Sequence, residues 1–139
     1  MIQRLQTIWL LIAAVCAILT FDLAFYSGVK LSDTNIKQFV ELNALADVII
    51  MVLTGLVALI CLVTMFLFQN RKMQLRLTIV ALLASIANLV IYFAETTEFT
   101  EGNILLTSIF TFIIPVFLVM AAKGIYRDEK LVKSMDRLR

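Results

Sequence analysis

Four long apolar segments, free of charge in their inner parts, constrain the fold of this chain more than any other feature. They comprise residues 7–21, 48–68, 77–94 and 104–122. A bilayer core about 30 Å thick is crossed by roughly 20 helical residues, so segments of this length predict transmembrane spans. Because lipid admits only helices or closed barrels, and these runs are continuous instead of alternating, we expect helical spans.

The composition leaves no room for a soluble domain. The 139 residues are 62% hydrophobic and 16% charged, whereas a soluble domain is about half apolar and a quarter charged. The stretches outside the spans are all short, and the tail, residues 123–139, follows a transmembrane domain over residues 1–122. Short loops join the second, third and fourth spans. We therefore predict an all-α integral membrane fold, an antiparallel four-helix transmembrane bundle with a short C-terminal cytoplasmic amphipathic helix.

Basic residues are distributed unevenly between the two sides of the predicted bundle. Of the 12 lysine and arginine residues, only Lys30 and Lys37 lie in the segments after the first and third spans. The positive-inside rule then places both termini and the loop at residues 69–76 in the cytoplasm. No cleavage motif of small residues follows the first apolar segment, so we expect it to be retained as a span.

The residue types argue against catalysis and against a bound cofactor. Histidine is absent, which removes histidine-ligated haem, most zinc and copper sites and the usual general base. Cys16 and Cys61 fall inside predicted spans and are interpreted as small packing residues. We predict no cofactor, no metal, no enzymatic activity and no nucleic-acid partner.

The longer segment on the outer side, residues 27–43, carries a helical pattern. Asp33 is suited to cap a helix, and Ile36, Phe39 and Val40 have the spacing of one apolar helix face. The pattern predicts a separate interfacial helix or an outward extension of the second span.

The third span carries small and polar residues on one face. Ala81, Ser85 and Asn88 are spaced i, i+4 and i+7, and small or polar faces mediate helix contacts in membranes. We expect the third span at the centre of the bundle. In the fourth span, Pro115 removes a backbone donor and predicts a kink.

Polar residues also gather toward the outer ends of the spans. One hypothesis is an outer-leaflet polar pocket, centred on two aspartates, that binds a cation or a proton. The alternative is that both aspartates lie at headgroup level, solvated or paired with Lys30. The candidate residues are Asp22, Asp47, Asn88, Thr107 and Thr111.

The tail predicts an amphipathic helix that continues the fourth span past Gly124. Leu131, Met135 and Leu138 form one apolar stripe among basic and acidic residues. Two interpretations are open. The helix lies on the anionic inner leaflet, or its stripe docks onto a cytoplasmic partner.

The two ends of the chain resemble a known family. The start MIQRLQTIWLL and the tail RDEKLVKSMDRLR are similar to the opening and closing segments of small four-span membrane proteins of unknown function from Bacteroidetes-type bacteria. The resemblance implies a bacterial inner-membrane location and a four-helix bundle, and it transfers no activity or site residue. The tail positions it singles out for testing are Arg127, Asp128, Glu129, Lys130, Leu131, Asp136, Arg137 and Arg139.

Two classes of function follow from these features, since no catalytic set can be assembled. The first is a small accessory or structural subunit of a larger inner-membrane complex, docking through its spans and its tail. The second is a small oligomeric transporter or channel that uses the outer-leaflet site near Asp22 and Asp47. The expected partners are accordingly the lipid bilayer and either a larger complex or further copies of the chain.

Overall fold

The computed structural model of the protein describes residues 2–31, 37–67 and 70–136. Within these residues the chain is mostly helical and includes a small antiparallel sheet. A single 3₁₀ turn, Leu106–Ser108, precedes the last helix. The helices are α1 (Ile2–Leu19), α2 (Val48–Phe66), α3 (Arg71–Thr96) and α4 (Ile109–Asp136), and the strands are β1 (Tyr26–Leu31), β2 (Lys37–Leu42) and β3 (Phe99–Ile104).

The helices pack side by side. α1 contacts α2 and α4, and α3 contacts the same two helices. One apolar cluster fills the space among them, and it includes Leu10, Val57 and Leu118. A second cluster, around Phe25 and Tyr92, joins the sheet to the helix ends nearest to it.

The lengths of the helices bear on the predicted spans. Among the described residues, α2, α3 and the stretch Leu106–Val132 are long and apolar enough to cross a membrane, and the apolar part of α1, Leu5–Leu19, is shorter. These features indicate a membrane protein. The predicted start of the fourth span at Ile104 is wrong, because that residue ends β3 and the α-helix begins only at Ile109.

The prediction of an all-α fold, with a helix in residues 27–43, is also wrong. β1 pairs with β2 and with β3, both antiparallel, so Phe39 and Val40 lie in a strand. Asp33 and Ile36 lie outside the described residues. β2 pairs with β1, which also pairs with β3 far along the chain, and a local helical spacing contains no information about such partners.

Two glycines allow β1 and β3 to approach closely. Gly28 and Gly102 are partners in the register of these strands. A Cβ atom at Gly102 would come 2.6 Å from the Ser27 carbonyl oxygen, and one at Gly28 would overlap the Glu101 carbonyl. A larger residue at either position would therefore push the two strands apart.

Phe25 attaches the sheet to the helices. Its backbone N–H donates to the Leu42 carbonyl at 2.7 Å, and its carbonyl accepts from the Leu105 N–H at 3.1 Å. Its buried ring stacks on Tyr92, with centroids 4.6 Å apart, and also contacts Phe93 and Phe112. The end of the bundle next to the sheet is thus closed by aromatic packing.

The helix α4 runs without interruption through Pro115 and Gly124 to Asp136. The prediction that the tail continues the helix of the fourth apolar segment is confirmed. We call residues 123–136 the C-terminal arm.

Candidate functional site

Each helix buries a stripe of residues spaced alternately three and four apart. This spacing repeats every seven residues and is typical of left-handed helix packing. The stripes contain Gln6, Leu10, Ala13 and Ala17 in α1; Ile50, Thr54, Val57, Cys61 and Thr64 in α2; Gln74, Thr78, Ala81, Ser85, Asn88 and Tyr92 in α3; and Thr111, Ile114, Leu118, Ala121, Ile125 and Asp128 in α4.

Polar side chains lie inside this helix assembly, and large apolar side chains lie on its surface. The exposed residues include Leu59, Leu83 and Val90, each more than half exposed. Amides, hydroxyls and one carboxylate occupy the buried stripes. In a water-soluble bundle the face opposite the core is polar, whereas here the exposed faces of the helices are apolar and the interior mixes apolar with polar side chains.

The interface of α2 and α3 contains a row of hydrogen-bonding groups. The Asn88 amide donates to the Thr54 hydroxyl at 2.9 Å, and the Gln74 amide donates to the Thr64 carbonyl at 3.3 Å. Among the described residues, the Asn88 Oδ1 and the Tyr92 hydroxyl are buried and make no hydrogen bond of normal geometry, although the Tyr92 hydroxyl lies near Thr54. A water molecule or a small polar ligand would satisfy them.

A second polar contact joins the start of α1 to the arm. The Gln6 side-chain amide donates to the Asp128 carboxylate at 2.7 Å, and these residues are only 5% and 6% exposed. The Arg71 guanidinium, at the start of α3, donates to the Asp128 main-chain carbonyl at 3.1 Å. Gly124 makes room for Gln6, because a Cβ there would lie 2.8 Å from the Gln6 Cγ. Asp128 is therefore bonded to two other helices.

Beside this contact, a groove of about 370 Å³ opens between α1 and α4. Trp9 lies in its wall and stacks on Phe117, with ring centroids 5.3 Å apart. We call it the α1–α4 groove. Its lining residues are Leu5, Gln6, Trp9, Met120, Lys123, Gly124 and Arg127.

The residues of the predicted outer polar pocket have separate partners in the structure. Asp22 is exposed in the turn after α1. Asp47 caps α2, where its carboxylate accepts from the Ile50 N–H at 3.4 Å. Asn88 bonds to α2, as described above. Thr107 donates to the Ala24 carbonyl, and Thr111 is buried in α4. A joint site of Asp22 and Asp47 stays a prediction.

The predicted docking stripe of the arm is described only in part. Leu131 is 52% exposed and lies next to a shallow depression lined by Arg127, Lys130 and Ser134. Leu138 lies outside the described residues, and the side chain of Met135 is not described either. Among the described residues, no group of three His, Cys, Asp or Glu side chains could hold a metal ion.

Several buried polar residues were not singled out from the sequence. Ala81, Ser85 and Asn88 were predicted to lie in the interior, and they are buried. Gln74, Thr78 and Tyr92 continue the same stripe in both directions. Extending the alternating spacing along α3 would have found them. The contact of Gln6 with Asp128 joins distant parts of the chain, so no local pattern indicates it.

The described residues thus define a mostly helical protein with apolar helices of membrane-spanning length and a small sheet. Residues 2–138 match the family described as Domain of unknown function (DUF4293). The chain belongs to this family, which confirms the resemblance to a family of unknown function. No curated protein and no solved structure matches the chain.

Proposed function

We propose that the protein is an antiparallel four-helix bundle inserted in a bacterial inner membrane. The exposed apolar faces of the helices and their polar buried stripes support insertion, since lipid solvates the former. The contact of Gln6, early in α1, with Asp128, late in α4, supports antiparallel packing of that pair. The hydrogen bond between Gln74, early in α3, and Thr64, late in α2, supports antiparallel packing of those two helices. From the basic residues at the Gln6–Asp128 end we infer, by the positive-inside rule, that this end lies in the cytoplasm.

Within that membrane, we infer that the protein is a small non-catalytic accessory subunit of a larger complex. The observation that carries this proposal is the buried contact of Asp128 with Gln6 and Arg71. It fixes the first half of the arm to the bundle as a direct continuation of α4. A helix lying on the membrane surface would have to bend away at the bilayer boundary. The arm instead projects from the bundle and presents Leu131 and Val132, both exposed.

An exposed apolar pair on a fixed helix is suited to a protein partner. Isolated exposed leucines are ordinary on soluble surfaces, but this pair includes Val132, which lies four residues after Asp128, the last buried residue described in α4, and so continues its buried stripe. A partner that covers it would extend the buried stripe of α4 beyond the bundle. We therefore expect a cytoplasmic domain of the larger complex to pack against this face of the arm.

Site-specific photo-cross-linking in native membranes tests this proposal. Benzoylphenylalanine placed at Leu131 should yield one dominant protein adduct, recovered in stoichiometric amounts and identified by mass spectrometry. The control position is Met73 in α3, which is exposed at the same end of the bundle and should give no such adduct. Lipid adducts alone at Leu131, or adducts of the protein with itself, would argue against an accessory role.

A transporter is the second candidate, favoured by the unpartnered Asn88 Oδ1 and Tyr92 hydroxyl in the interior. Reconstituted vesicles with a proton or cation gradient test it. Asp47→Asn is the sharpest variant, because asparagine preserves the cap of α2 while it removes the charge. Loss of flux in Asp22→Asn, Asp47→Asn or Asn88→Leu would support transport. Equal flux in the wild type and in empty vesicles would exclude it.

A further inference from the structure

We propose that the α1–α4 groove binds the headgroup of an anionic phospholipid, with the start of an acyl chain beside Trp9. The inference rests on the proposed membrane insertion and cytoplasmic orientation of this end of the bundle. It does not depend on the accessory role. Three features of the groove support it: its charge, the order of its polar and apolar lining, and its available space.

The charge of the groove is positive. Lys123 and Arg127 lie one turn apart on α4, and both are exposed. In the part of the chain that the structure describes, neither has a carboxylate partner. The nearby Asp128 carboxylate is directed to the Gln6 amide, and the Arg71 guanidinium lies close to the same residue. Two unpaired cations one turn apart match a phosphate that carries a net negative charge.

The lining changes from polar to apolar along the helix axes in the order that a phospholipid requires. Lys123 and Arg127 lie toward the end of the bundle, and Met120 lies one turn deeper on α4. On α1, Trp9 lies one turn deeper than Leu5 and is fixed by its stacking on Phe117. A headgroup at the cations would therefore place its glycerol and first methylene groups against Trp9 and Met120.

Gly124 forms part of the groove wall, and Gln6 packs against it. Gln6 occupies the space that a Cβ would take, with its Cγ 2.8 Å from that position. The amide of Gln6 is directed to Asp128 and not into the opening. This leaves a volume of about 370 Å³, which is within the size range of small-molecule sites.

Trp9 is the single tryptophan of the chain, so its fluorescence reports on the groove directly. The protein is reconstituted in phosphatidylcholine vesicles that contain either brominated phosphatidylglycerol or brominated phosphatidylcholine at the same mole fraction. Bromine on the acyl chain quenches tryptophan at contact. We expect brominated phosphatidylglycerol to quench Trp9 with an apparent affinity roughly fivefold higher or more, as one or two cations near a headgroup would produce.

Charge-matched variants separate the groove from the general surface charge. Lys123→Gln with Arg127→Gln should abolish the preference for phosphatidylglycerol. Lys72→Gln with Arg76→Gln removes two exposed cations of α3 from the same end of the bundle and should preserve it. Gly124→Ala should reduce the preference, because the added methyl group displaces Gln6.

Four outcomes would overturn the proposal. Equal quenching by both brominated lipids in the wild type would show that the groove does not select anionic lipid. Loss of the preference in both double variants would assign it to the net charge. Competition by millimolar inorganic phosphate would identify a site for free phosphate instead of a lipid. Absence of quenching by either lipid would contradict membrane insertion itself. Failure of the groove proposal can therefore be distinguished from failure of the proposed membrane insertion.

Discussion

The interior of the bundle combines two different kinds of helix contact. The buried stripes of α1 and α4 are formed by alanine, leucine and isoleucine along most of their length, and their polar residues lie near the ends, at Gln6, Thr111 and Asp128. The buried stripe of α3 is polar almost throughout, with Ala81 as its apolar member, and α2 meets it with Thr54 and Thr64. One half of the molecule thus associates mostly by close packing, and the other adds side-chain hydrogen bonds along the α2–α3 interface to its packing.

This difference shows where the protein is sensitive to change. In the proposed membrane-inserted state the hydrophobic effect does not drive the helices together, so their association depends on close packing and interhelical hydrogen bonds. Overfilling a tight interface costs typically 1–3 kcal/mol, whereas a single interhelical hydrogen bond in a membrane contributes only about 0.6 kcal/mol on average. We therefore expect the α1–α4 half to tolerate volume changes poorly and the α2–α3 half to tolerate single polar deletions.

The largest effect is expected for Ala121→Leu in the close-packed half. Ala121 is completely buried, so the larger side chain has to separate α4 from its neighbours. We expect a loss of about 3 kcal/mol in the free energy of unfolding. Titration with sodium dodecyl sulfate in mixed micelles, followed by circular dichroism, measures it. Ala87→Leu, on the exposed side of α3, should change stability little. Similar losses in both variants would contradict the assignment of the close-packed interface.

An intermediate effect is expected for Asp128→Ala at the end of that half. The substitution leaves the buried Gln6 amide without its acceptor, for which we expect a cost of about 2 kcal/mol. Asp128→Asn preserves an acceptor oxygen and should lose less. The exposed Asp22→Ala serves as the control, measured by the same titration. If Asp128→Ala behaves like Asp22→Ala, the arm is not fixed to the bundle by this contact.

The sequence predicted the helical part of the molecule better than the part outside it. Apolar segments predict where helices form, because a continuous run of roughly 20 apolar residues is typical of a membrane-spanning helix. The buried face of α3 was predicted in part, since Ser85 and Asn88 share a spacing that local sequence contains. Residues 37–42 were predicted to be helical and form β2. They pair with β1, which also pairs with β3 far along the chain, and a helical spacing within residues 27–43 contains no signal of these pairings.

The candidate site was less predictable than the fold for a related reason. Asp22 and Asp47 attracted attention as charges at the ends of spans, yet one is exposed and the other caps α2. The α1–α4 groove is lined in part by Gly124, which in the sequence is only a glycine within a helical tail. The role of Gly124 is visible only in the structure, where Gln6, from the opposite end of the chain, occupies the space beside it.

A smaller effect is expected in the polar half, for Asn88→Leu. The variant removes the hydrogen bond to Thr54 but also removes the unpartnered Oδ1 atom. Losing the bond lowers the free energy of unfolding, and removing the unpartnered oxygen raises it. We therefore expect a net loss of stability below about 1 kcal/mol. A double-mutant cycle with Thr54→Val isolates the bond itself. A coupling energy that matches the loss in Ala121→Leu would show that hydrogen bonds, and not packing, dominate both halves.

The smallest effect is expected at the sheet, where an ion pair lies outside both halves. The Lys30 ammonium bonds to the Glu98 carboxylate, and the two side chains are 41% and 53% exposed. The hydrogen bond with Glu98 raises the pKa of Lys30 above its ordinary value of 10.5. A lysine whose pKa is higher in the folded state than in the unfolded state contributes its full stabilisation at any pH below the unfolded-state pKa. The contribution is lost only as the pH rises through the folded-state pKa. Stability should therefore not change through this pair between pH 7 and 9, and Glu98→Gln should cost less than about 1 kcal/mol, because exposed pairs are screened by solvent. A loss larger than that of Ala121→Leu in the same titration would show that the sheet, and not the α1–α4 interface, is the part of the molecule most sensitive to a single substitution.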